Sequence, residues 1–129
     1  MRRVLSVGQC GFDHGNLSQS LRQLFDAEVV AARNEDDALL RLKSSTFDLV
    51  LVNRVFDADG ASGLDFIRKV KQQASVPLML VSNYEDAQRE AVAAGALPGF
   101  GKSMLGRPEL RSCLAVVLAK TTEPSGESK

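Results

Sequence analysis

Five short runs of strand-forming, mostly apolar residues are spaced along this chain, each followed by a longer stretch of helical period. That alternation builds a parallel sheet covered by helices on both faces. The plainest run is Leu49 to Val52, an unbroken apolar strand of the kind buried on both sides, which stops at the polar pair Asn53-Arg54. Val4 to Val7, Glu28 to Ala32, Leu78 to Val81 and a glycine-rich run around Gly99 to Gly101 supply the other four. Right-handed crossovers between them give a doubly wound, three-layer α/β/α sandwich. Open sheets of this kind bind ligands beyond the carboxyl ends of their strands, which directs attention to Gly8, Gln9, Asn53, Ser82 and Lys102.

The helices carry their own signals. Asn16 to Phe25 places Leu17, Leu21, Leu24 and Phe25 on one face, and Gly8 to Gly15 before it reads as a long polar loop. Asn34 is an N-cap followed by Glu35, Asp36 and Asp37 in the first turn, where the helix dipole favours anions. A turn-rich segment from Asp57 to Gly63 leads into a helix whose Leu64, Phe66, Ile67 and Val70 face inward. The fourth helix is expected from about Tyr84 to Ala94 with Gly95 closing it, and the fifth from Arg107 to Ala119 with Pro108 at its first position.

With 129 residues, 44% of them hydrophobic, the chain is read as one domain over residues 1–119. Residues 120–129, rich in Ser, Thr, Glu, Pro and Gly, are read as a disordered tail. Sixteen basic residues balance 16 acidic ones, and with one Tyr and no Trp neither a basic footprint nor stacking platforms point to nucleic acid. Two cysteines, Cys10 and Cys113, are too few for a disulfide framework, and with no secretory signal legible the expected compartment is the cytoplasm. No apolar run approaches the roughly 20 residues that span a bilayer, so no membrane contact is expected.

Phe47 to Asn53, Gly63-Leu64-Asp65-Phe66-Ile67, Val76 to Ser82, Ala94-Gly95-Ala96 and Gly101-Lys102, in that order, resemble the response-regulator receiver domains of bacterial two-component signalling. The resemblance covers residues 1 to about 119 and implies a flavodoxin-like fold. It also implies a chemistry. A receiver takes a phosphoryl group from a histidine kinase onto an Asp ending the third strand. Two acids after the first strand help hold Mg²⁺, and a Ser or Thr and a Lys end the fourth and fifth strands. Ser82 and Lys102 match the last two positions. Asn53 stands at the acceptor position, where a neutral amide lacks the carboxylate oxygen that would form an acyl phosphate. Gly8 and Gln9 stand at the acidic pair, so Mg²⁺ binding is expected to be weak or absent and the pocket net positive. Gly99 falls where receivers usually carry a switching Tyr or Phe, and Ser103 replaces the usual proline.

The resulting expectation is a degenerate receiver, not an enzyme, that acts in phosphorelay signalling by touching another protein, either a histidine kinase or a downstream target, as a monomer or weak homodimer. No output domain is legible in the 129 residues, which makes contact the expected output. The face made by the fourth helix, fifth strand and fifth helix would present Gln88, Arg89, Val92, Arg107 and Arg111. Asn53 is expected to bond Lys102 or nearby backbone, and Lys102 to recruit Asp13 or Asp57. Two alternatives stand beside this: a working receiver with its acceptor displaced to Asp57 or Asp13, and an anion or small-molecule sensor built on Lys102 and Ser82. Weaker readings are a thiol-imidazole pair of Cys10 and His14, for which no orienting group is evident, and a calcium loop at Asp57-Ala58-Asp59-Gly60, which lacks the remaining oxygen ligands. No Gly-x-Gly-x-x-Gly is present.

Overall fold

The apolar run at 49–52 forms the middle of the sheet. In the computed structural model, which describes residues 2–118, Leu49, Val50, Leu51 and Val52 are all fully buried, because helices cover both of their faces. The strands are β1 (Arg2–Val7), β2 (Ala27–Ala32), β3 (Leu49–Asn53), β4 (Leu78–Val81) and β5 (Leu97–Phe100). All pair in parallel in the order β2-β1-β3-β4-β5. The helices are α1 (Gly11–Phe25), α2 (Glu35–Ser44), α3 (Gly63–Gln73), α4 (Glu85–Ala93) and α5 (Pro108–Leu118), with a 3-10 turn at Lys102–Met104. This is the five-stranded, doubly wound sandwich expected from the sequence.

Two cores follow from the alternation of side chains along each strand. Leu5, Val7, Val50, Val52 and Leu80 pack with Phe66, Ile67 and Val70 of α3 and Ala87 and Ala91 of α4. On the other face Val4, Leu49, Leu51, Met79 and Val81 meet Leu17 and Leu21 of α1 and Leu110 and Leu114 of α5. Side-chain caps start three helices: Asn34 accepts from the Asp37 amide at 2.9 Å, Ser62 from the Asp65 amide at 3.2 Å, and Cys10 from the Asp13 amide at 3.4 Å.

The Cys10 cap corrects the sequence reading. The expected loop from Gly8 to Gly15 is only Gly8-Gln9-Cys10, because α1 begins at Gly11 rather than Asn16. Two glycines and an unusual thiol cap hid its first turn from propensity. Asp13 therefore sits in the first turn of a helix, not in a mobile loop. β5 also lies earlier than expected, at Leu97–Phe100, and Lys102 opens the 3-10 turn. Gly95 takes φ 110° just beyond α4, as a C′ glycine does. The tail read as disordered, residues 120–129, lies outside the described residues.

Candidate functional site

The strand order reverses direction between β1 and β3, so their connections diverge and leave a crevice at the carboxyl edge of the sheet. Gly8 follows β1 and Asn53 ends β3 on the two sides of it. Gly8 has φ 81°, a left-handed conformation that turns its carbonyl oxygen inward. That oxygen accepts from Asn53 Nδ2 at 3.1 Å and from the Asp57 amide at 2.9 Å. Asn53 Nδ2 also donates to the carbonyl of Val55 at 2.9 Å, and its Oδ1 accepts from the Arg54 amide at 3.2 Å. Two carbonyls on one side and an N–H on the other leave only one orientation of the amide. The Asn53 amide nitrogen thus donates to both carbonyls, and a carboxylate has no proton to donate.

Lys102 does not touch Asn53 through any hydrogen bond. Its ammonium donates to Asp13 Oδ2 at 2.7 Å, and both side chains are about one-third exposed at 36% and 27%. The Lys102 bond, helped by one from the Cys10 thiol and opposed by burial, holds the Asp13 carboxyl below its ordinary range. Asp13 offsets the charge of Lys102, while Arg54 on the same cleft joins no ion pair among the described residues. Ser82 faces the same cleft, of about 320 Å³, with Asn53, Arg54 and Lys102. Its Oγ accepts from the Tyr84 amide at 3.1 Å and so supports the turn into α4. Asp57 is exposed and joins no ion pair among the described residues. Gly99 lies on β5, remote from Asn53 in the hydrogen-bond network, and donates its amide to Gln88 Oε1 at 3.1 Å.

The donor set does not suit Mg²⁺. Gly8 offers no side chain, Asn53 turns its amide nitrogen to the carbonyls, and Asp13 is held by Lys102. Among the described residues no three His, Cys, Asp or Glu side chains converge. Both polar atoms of the Gln9 side chain are buried without a partner, as is His14 Nδ1. Cys10 serves as a cap, and no hydrogen bond joins it to His14 through their side chains, so no thiol-imidazole pair is assembled. Asp59 Oδ1 accepts from the Ala61 amide at 3.0 Å, the signature of a simple turn rather than a calcium loop.

Burial lowers the His14 pKa from its ordinary 6.5. The unfolded chain therefore takes up this proton first, and stability is full above pH 6.5 and declines as pH falls through the lowered value. Asp13 adds a second loss below its unfolded-state value of 3.8, as its depressed pKa is crossed. His14 is the only histidine. Urea midpoints recorded between about pH 7 and pH 5 should fall in the wild type and stay flat in His14→Gln.

Two residues that matter here were not singled out from the sequence. Phe56 is 1% exposed and lies against Gly8, edge-on to Phe66 with ring centroids 5.9 Å apart. Asn83 accepts from the amide and hydroxyl of Ser103 at 3.3 and 2.9 Å. Phe56 is a single aromatic outside any helical or strand period, and Asn83 a single amide after a strand, so neither leaves a pattern along the chain. Gln88, expected on an outward face, is half-buried and bonds inward. Arg89, Val92, Arg107 and Arg111 are exposed.

Three solved structures share this fold. A signal receiver domain of a DNA-binding response regulator from Colwellia psychrerythraea is 24% identical, with 90% of this chain and 97% of that one aligned at TM-score 0.73. A response regulator from Thermotoga maritima is also 24% identical, over 87% and 93%, at 0.72. The BeF3-activated receiver domain of RstA from Klebsiella pneumoniae is 19% identical, over 91% and 98%, at 0.78. The chain has the receiver fold. No family model and no curated protein matches the sequence. In this receiver fold no helix among the described residues is long and apolar enough to cross a membrane.

Proposed function

We propose that this receiver-like domain works in two-component signalling by contact with another protein, in the cytoplasm, without taking a phosphoryl group on residue 53. The observation that carries the reading is the pair of backbone carbonyls, Gly8 and Val55, that converge on Asn53 Nδ2. A carboxylate there would face two acceptors at hydrogen-bond distance, and no described cluster of acids is placed to hold the cation that ordinarily neutralises the transferring oxygens. Three exposed apolar side chains support contact as the output. Phe12, Val55 and Tyr84 are 77%, 43% and 62% exposed, and all three sit at the carboxyl edge of the sheet. A histidine kinase or a downstream target would be met there or on the α4–β5 side.

Incubation with acetyl phosphate and Mg²⁺, read by intact mass beside an ordinary active receiver, tests the reading. The expected result is no adduct on the wild type or on Asn53→Asp while the control is labelled. A labile adduct on the wild type would overturn it. Mapping that adduct to Asp57 or Asp13 would establish a displaced acceptor.

A further inference from the structure

We infer that Gln88 is an amide clamp that pins α4 to the sheet and disconnects the α4–β5 face from events at Asn53. Gln88 lies on the first turns of α4, and its side chain points at backbone rather than solvent. Nε2 donates to Leu80 O at 2.9 Å and Ser82 O at 3.1 Å, with Phe100 O at 3.5 Å, while Oε1 accepts from the Gly99 amide at 3.1 Å. One side chain thereby ties α4 to β4, to the β4–α4 connection and to β5.

The neighbours are shaped around it. A Cβ at Gly99 would overlap Leu80 O and lie 3.0 Å from Gln88 Oε1, so the clamp occupies space that any side chain at 99 would need. Ala87 and Ala91, both buried, bring α4 close to the sheet. The other end of the connection is tied separately by Asn83, which holds Ser103 and sits directly over Gly101. Moving α4 would break these part-buried amide bonds, to the Leu80 and Ser82 carbonyls and from the Gly99 N–H. Arg89, Val92, Ala93, Pro98 and Gly99 line an apolar groove of about 530 Å³ beside the clamp, and its walls are therefore held in one arrangement. This inference concerns the conformation of α4 and stands apart from any signalling role.

NMR of the full chain tests it. In Gln88→Ala and in Gln88→Glu, which keeps the shape but loses the amide donors, hydrogen-exchange protection of Gly99 and of α4 should fall by about tenfold or more. β1 and β3 should keep theirs. In Asn53→Asp, amide shift changes should stay within the β1–α1 and β3–α3 connections, and reach Arg89 to Ala93 only when Gln88→Ala is added. Shifts reaching α4 in Asn53→Asp alone, or wild-type protection of Gly99 in both Gln88 variants, would overturn the clamp. Relaxation dispersion on the wild type needs no variant: a flat profile across Glu85–Ala93 is expected, and millisecond exchange there would overturn it as well.

Discussion

Gly8→Asp, which would restore the first acid of the receiver pattern, should destabilise the fold by about 3 kcal/mol. Two separate effects add. Gly8 has φ 81°, a region that a residue with a Cβ enters at a cost of roughly 1–2 kcal/mol. A Cβ there would also press into the Phe56 ring, 2.8 Å from its Cγ. That ring is fully buried against Phe66 and cannot swing outward without opening the core, which adds about 1–3 kcal/mol of overpacking. Urea denaturation reads the loss as a lowered midpoint at constant slope. If Gly8→Asp kept the wild-type midpoint, Phe56 would have to be free to yield, and the packing described around it would be wrong. Adding Phe56→Ala should make the two losses less than additive, because the larger clash disappears with the ring. Position 8 is thus one where the surrounding packing leaves no room for a side chain.

Gly99→Ala should cost about 2 kcal/mol, although it adds a single methyl to a half-buried strand. The obstacle is backbone. The new Cβ would overlap Leu80 O and lie 3.1 Å from Leu80 N, atoms fixed by the pairing of β4 with β5. That ladder shifts register between Met79 and Val81, and at this irregularity the Gly99 backbone lies close against Leu80. The aromatic residue that receivers carry at this place would meet the same carbonyl with a larger side chain. A loss below about 0.5 kcal/mol would show that β5 slides along β4, and would weaken the case for a rigid α4–β5 face.

The sheet was legible because its cause is local. Apolar runs four or five residues long, separated by segments of helical period, allow few arrangements, and β4 was expected at Leu78 to Val81 where it is found. α2 was equally plain, since Asn34 and the three acids after it are a local cap and dipole pattern. That residue 53 carries an amide rather than a carboxylate was visible from residue type alone. α1 was misplaced at its start because a cysteine cap and two glycines carry no helical signal.

What the sequence by itself determined is therefore the architecture, a parallel sheet of five strands, together with the residue types at the strand ends, an amide, a glycine and a glutamine where the resemblance to receivers implies acids. What stands in their place was decided by tertiary structure. Asp13 and Lys102 are 89 residues apart and meet because α1 and the turn after β5 arrive at the same edge of the sheet. The two carbonyls that hold Asn53, the Phe56 ring over Gly8 and the backbone around Gln88 also belong to separate segments. Periodicity reports which face of an element is buried, because one element's own geometry sets it. Hydrogen-bond partners across elements depend on angstrom-scale placement of several elements at once, and no pattern along one chain segment records that placement.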